Sequence, residues 1–190
     1  GYSGERLYIA VISELPPRAM AGGKYSYELP RDSELIADPN TVEIWLDPYR
    51  DSRGSPEAEQ SIYQVFINSA GSIYDAKMQA GKPLDKGFTA DIQTANGIDT
   101  AKNRWIAEIS IGLKELGWEG GNYAGRSMGA LICRNYKSPW NQATWFPHGD
   151  AFTAWKWYPR IFFSANAPVV GIESLGERLF QAEPEFALSL

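Results

Sequence analysis

The stretch TVEIWLDPYRD, Thr41 to Asp51, alternates Val42, Ile44 and Leu46 with Glu43, Trp45 and Asp47 before Pro48 interrupts it. Successive side chains of an extended chain point to opposite faces, so the run predicts a strand with one apolar face and one face bearing an acid, an indole and a second acid. The apolar face belongs against a core. The other face is ordinary surface, a catalytic strand or the floor of a binding site.

The same grammar recurs on either side. Short apolar runs rich in β-branched and aromatic residues, separated by Gly, Pro, Asn and Asp, predict strands at 6–13, 41–47, 61–68, 88–96, 104–111, 127–136, 143–146 and 160–163. One helical turn is expected in GLKELGW, where Leu113 and Leu116 share a side and Gly117 can stop the helix. Two long polar connections, 16–40 and 47–60, are rich in Pro and Gly, and loops of that length in a compact domain are usually functional or disordered. With no repeated βαβ unit, the pattern predicts an all-β fold, an antiparallel β-sandwich of jelly-roll type with one short helix.

Composition narrows the function. The chain has 190 residues, 44% hydrophobic and 22% charged, enough for one domain with a core. A net charge of −5 without a basic run argues against nucleic acid, which needs clustered Lys and Arg. No apolar run reaches the ~18 residues of a membrane span. A single Cys133 excludes an internal disulfide and a thiolate zinc site, and the lone His148 excludes a His-rich metal centre. His148 would be the only base for a serine-hydrolase triad, and that chemistry is set aside. Aromatic residues make up 13% of the chain, and four of its seven Trp, Trp140, Trp145, Trp155 and Trp157, fall close together.

Three strands carry a charge within an apolar run: Glu43 on the first, Glu108 in WIAEISI and Arg134 in GALICRNY. If the strands are neighbours, the guanidinium bridges both acids, either as an internal network or as a centre in which Glu43 and Glu108 flank a glycosidic bond about 5 to 9 Å apart. The span WNQATWFPHGDAFTAWKWYPR is the stronger lead, because sugar rings stack on indoles while amides, carboxylates and Arg fix their hydroxyls. Trp145 and Phe146 read as core. Trp155 and Trp157, two apart, point the same way, and at least one is expected at the surface.

Taken in order, ERLYIAVIS, TVEIWLDP, YQVFIN followed by GSIYDA, RWIAEISI, GALICRN, ATWFPHG and YPRIFF resemble carbohydrate-binding module family 9 and its DOMON-like relatives over about residues 5–163. The resemblance implies a β-sandwich that binds plant polysaccharide fragments or chain ends, often with structural calcium, within a secreted multidomain glycosidase. It assigns ligand contact to Glu43 and Asn68 and half of an aromatic clamp to Trp155 or Trp157. The other clamp position falls near Ala37, which is not aromatic, and a ligand-binding Arg position holds Phe66. Tyr25, Tyr27 or Trp45 would then replace the missing indole; otherwise the sandwich is a spacer between other domains.

The expectation is therefore a non-catalytic carbohydrate-binding module, residues 1–163, of a secreted bacterial protein, extracellular or periplasmic. Residues 164–190 read as a linker and the start of a further domain or a terminal strand, and the first segment begins later than the family pattern. Glu43, Asn68, Trp155 and Trp157 would contact sugar, Trp45 would wall the site, and Arg134 and Glu108 would organise its floor. A single copy is expected to act with adjacent domains of the same chain, without nucleic acid, membrane or required cofactor. Calcium is the one candidate metal, with Asp38, Asp47 and Asp75 as conceivable ligands.

Overall fold

A computed structural model of the chain describes residues 1–15, 26–37, 40–49, 61–79, 81–137, 140–146, 152–153 and 158–165. Within them the chain forms ten strands: β1 (Tyr2–Ser3), β2 (Arg6–Glu14), β3 (Thr41–Asp47), β4 (Ser61–Asn68), β5 (Ile73–Gln79), β6 (Ile92–Asp99), β7 (Arg104–Gly112), β8 (Ser127–Lys137), β9 (Trp140–Thr144) and β10 (Arg160–Phe162). They make two antiparallel sheets, one in the order β1-β2-β7-β6 and one in the order β10-β8-β3-β4-β5 with β9 beside β8. The fold is an all-β sandwich, and the chain crosses from one sheet to the other three times, before β3, β6 and β8.

Alternation sets the core. Val42, Ile44 and Leu46 of β3 join Tyr63, Val65 and Ile67 of β4 and Met128 and Ala130 of β8 on one side of the gap. Leu7 of β2, Ile92 of β6, and Trp105, Ala107, Ile109 and Ile111 of β7 meet them from the other. One end is closed by aromatic packing: the Trp118 and Phe163 rings lie 4.8 Å apart and Tyr2 lies 5.0 Å from Phe163. Apolar burial of this kind is the main favourable term holding two sheets together.

Strands β3 and β4 run as the pattern predicts, and β2, β7, β8 and β10 differ only at their ends. β6 starts and ends later than expected, and β9 earlier. β5 was not expected, because Asp75 and Lys77 break its apolar rhythm. Asp75 is nonetheless buried on the inner side, where the Ala90 N–H donates to Oδ2 at 2.6 Å and Arg31 Nη2 donates to Oδ1 at 2.5 Å.

The expected helix is a correction. Leu113 and Leu116 are buried and Gly117 takes φ +84, yet the segment forms turns, with the Trp118 N–H bonded to the Leu113 carbonyl. So short a run cannot offset the cost of nucleating a helix. The one helical turn among the described residues is a 3-10 turn at Glu34–Ala37. Phe146, read as core, is 44% exposed, because β9 ends at Thr144 and the chain leaves the sheet there. Trp145 is half-buried and its indole N–H bonds the Ala130 carbonyl at 3.3 Å.

Candidate binding face

The outward face of the six-stranded sheet is built by the residues that alternate with the core. Its cross-strand rows follow from register: Gln142, Asn135, Thr41 and Asn68 lie side by side on β9, β8, β3 and β4. In the next row stand Thr144, Cys133, Glu43, Phe66 and Tyr74. Apolar layers cover the face on both flanks. Leu29 and Ile36 pack over Phe66, Tyr74 and Ala76, and Phe152 and Tyr158 pack over Trp45, Leu131 and Cys133. Between these flanks runs a polar strip.

Glu43 is the centre of the strip and is only 4% exposed. Its Oε1 accepts the Trp45 indole N–H at 2.7 Å and the Gln64 amide at 2.8 Å, and its Oε2 accepts the Asn135 amide at 3.0 Å. A buried carboxyl group needs such donors, because leaving it unsolvated costs several kcal/mol. Every donor is neutral. Asn135 Oδ1 in turn accepts the Gln142 amide at 3.0 Å, and Asn135 Nδ2 also reaches Thr41 Oγ1 at 3.2 Å. Gln64 and Gln142 are half-buried, so the strip passes from a sealed acid to amides that solvent reaches. Cys133 lies beside Glu43, and burial together with the Glu43 charge pushes its thiol above the ordinary range, which leaves it protonated and unreactive.

Asn68 shares this face with Glu43 but is wholly buried. Its Nδ2 donates to the Tyr27 carbonyl at 2.9 Å, and its Oδ1 accepts the N–H groups of Ala70 and Ser72, each at 3.0 Å. It therefore organises the turn after β4 and ties down the segment carrying Tyr27. The Tyr27 side chain is 67% exposed. Trp45 is buried with its N–H committed to Glu43, so it cannot offer a stacking face. Trp155, Trp157, Tyr25, His148 and Asp38 lie outside the described residues.

The expected cluster of Glu43, Glu108 and Arg134 does not form. Arg134 precedes Asn135 and points the other way, into the gap between the sheets. There its Nε donates to Ser13 Oγ at 2.7 Å and its Nη1 to the Thr41 carbonyl at 3.3 Å and to the Asn135 carbonyl. Its guanidinium carbon sits 5.0 Å from the Trp105 ring centre and 4.3 Å from that of Tyr136. Burial lowers its pKa to about 10, which leaves it charged at neutral pH. Arg134 thus supports the strip from beneath through the backbone of Thr41 and Asn135.

Glu108 belongs to the other sheet and is exposed on its outward face. Packed sheets lie about 10 Å apart, so carboxyl groups on their two outward faces are separated by more than glycosidic cleavage between them allows. Strand spacing within one sheet was the hidden assumption, and sheet membership cannot be read from alternation.

A G-x-S-x-G spelling, expected to be absent when the serine-hydrolase triad was set aside, does occur once. Gly125 to Gly129 reads GRSMG and has the G-x-S-x-G spelling of a nucleophile elbow. Ser127 is fully buried at the start of β8, opposite Phe162, with no strand-to-helix turn to expose its hydroxyl. The spelling is coincidental. Two of the three aspartates named as conceivable calcium ligands are described, Asp75 and Asp47. Both oxygens of Asp75 are engaged, Asp47 Oδ1 accepts the Tyr49 N–H at 3.2 Å, and no group of three or more His, Cys, Asp or Glu gathers among the described residues.

The polar strip was only partly legible. Glu43 was singled out, whereas Gln64, Asn135 and Gln142 were missed. Their signal was present in alternation: Gln64 keeps step with Phe66 on β4, and Asn135 with Cys133 on β8.

No family model matches the chain, and no curated protein matches it in sequence. Its fold is similar to a crystal structure from Bacteroides uniformis described as that of a "putative carbohydrate-binding protein", with TM-score 0.55 and 12% identity over 83% of this chain and 72% of that one. At that identity the likeness supports the sandwich architecture alone.

Proposed function

We propose that this domain is a non-catalytic carbohydrate-binding module of the family 9 and DOMON-like kind, which binds plant-type oligo- or polysaccharide on the outward face of the six-stranded sheet. The carrying observation is the acid-centred amide strip between two apolar flanks. Glu43, held by an indole and two amides, orients Gln64 and Asn135, and through Asn135 it orients Gln142. Amides both donate and accept, which is the pairing that sugar hydroxyls require. Tyr27, anchored through Asn68 at the end of the same row, supplies an exposed ring for C–H stacking. Trp155 or Trp157 is proposed as a second stacking face, following the family resemblance.

In this reading Glu43 and Asn68 act beneath the ligand, Trp45 locks the acid, Arg134 braces the strands, and Gln64, Gln142 and Tyr27 touch sugar. The carbohydrate-binding role suggested for the Bacteroides uniformis protein of similar fold is consistent with it. A module of this kind works outside the cytoplasm as part of a larger protein. Calorimetry against soluble xylan and β-glucan oligosaccharides tests the reading. Binding in the parent should weaken roughly five- to tenfold in Gln64→Ala and in Tyr27→Ala, the loss expected for one hydrogen bond or one stacked ring. Absence of heat and of any Trp fluorescence change across a broad glycan panel would return the domain to the role of spacer.

A further inference from the structure

We infer that the outward face of the four-stranded sheet is a second saccharide-contact surface, shaped for an uncharged glycan chain and lying on the opposite side of the sandwich from the amide strip. The inference rests on the reading that the domain binds sugar. Register across β2, β7 and β6 sets Tyr8, Ser110 and Gln93 in one row and Ala10, Glu108 and Ala95 in the next. Tyr8 is 45% exposed, and Ala10, Glu108 and Ala95 are exposed as well. An alanine on each side leaves the Glu108 carboxyl group standing above a low floor, open from both directions.

Glu108 has no hydrogen-bond or ion-pair partner among the described residues, unlike Glu43. The nearby charges on this face are already matched: Arg6 pairs with Asp91 and donates from Nε to Ser110 Oγ at 2.5 Å. Tyr8 and Glu108 are diagonal neighbours, about 7 to 8 Å apart by the geometry of an antiparallel pair. A sugar ring stacked on Tyr8 can therefore place a hydroxyl against Glu108 and others against Ser110 and Gln93. Among the described residues of this face Arg6 is paired with Asp91 and Arg104 is engaged as well, so a uronic acid would meet Glu108 as a like charge and the ligand chemistry that fits is neutral.

Two contact faces on opposite sides make the domain bivalent toward a polymer. Calorimetry with neutral xylan and β-glucan oligosaccharides should give two equivalents bound per chain. Tyr8→Ala and Glu108→Ala should each weaken the affected site at least tenfold and leave one equivalent at working concentrations, while thermal melting confirms that both variants are folded. Gln64→Ala should instead weaken the other equivalent roughly five- to tenfold and leave this one unchanged. Light scattering with the soluble polymers should show cross-linking by the parent and not by Glu108→Ala. One equivalent in the parent, weakened in Gln64→Ala and unchanged in Tyr8→Ala, overturns the second surface and leaves the first intact. Tighter binding of polygalacturonate than of neutral glycans overturns the charge argument. No binding by the parent removes both readings.

Discussion

Glu43 on β3 and Glu108 on β7 each stand in the middle of an apolar alternation, on a strand with neighbours on both sides, pointing away from the gap between the sheets. Glu43 is sealed and triply hydrogen-bonded, and every residue of β3 is buried; Glu108 is exposed, and β7 alternates between buried and solvated positions. The difference lies in what is laid over each sheet. Segments around Leu29 and Ile36 and around Phe152 and Tyr158 roof the face of Glu43, whereas Glu108 has an alanine directly opposite it on each neighbouring strand. Alternation decides which way a side chain points, and long-range cover decides whether water reaches it.

Urea denaturation can break this comparison strand by strand. On β7, Trp105→Ala should cost about 3 to 5 kcal/mol, the range for a fully buried aromatic residue whose removal leaves a cavity. On β3, Glu43→Ala should cost about 3 kcal/mol although it faces away from the main core, because the Trp45, Gln64 and Asn135 donors lose their acceptor. A loss below about 1 kcal/mol would mean that those donors find other partners, and Glu43 would no longer be the organiser of the strip.

A third acid sharpens the contrast through pH. Burial raises the Asp75 pKa, opposed by the Ala90 N–H and by Arg31. The folded state therefore takes up this proton at higher pH than the unfolded chain. The group's contribution to stability is fullest below the ordinary aspartate range and is lost as pH rises through the raised value. The stability difference between the parent and Asp75→Asn should accordingly shift in favour of the parent as pH falls, measured by urea melts between pH 7 and 3. A flat difference would show that Asp75 is as well solvated as it would be in the unfolded chain.

The smallest effect is expected at the other acid. Glu108→Ala should change stability by no more than about 0.5 kcal/mol, as for an exposed side chain without partners. A larger loss would reveal structure on that face and weaken its assignment as an open contact surface.

Much of the architecture was legible because burial on one side of a strand leaves a period of two in the sequence. β3 and β4 end where that period ends, at Pro48 and at the turn held by Asn68. β5 was illegible because its buried Asp75 is made tolerable by Arg31, a residue 44 positions earlier in the chain. The helix expected at GLKELGW failed for the converse reason: Leu113 and Leu116 are buried in the common core and need no helix to share a side. Of the site, Glu43 and Trp45 could be named, but the pairing of Glu43 with the amides of Gln64 and Asn135 could not, since these meet it only through the order β8-β3-β4.

What the sequence by itself determined is the β-rich character, most strand positions and the direction of nearly every side chain on them, because these follow from local stereochemistry and the hydrophobic period. Tertiary structure alone decided that Glu43 and Glu108 occupy opposite outward faces, that Arg134 packs onto Trp105, and that Glu43 is roofed while Glu108 is exposed. Sheet membership depends on pairings between strands distant in sequence, and those pairings depend on which combination of apolar faces excludes the most water.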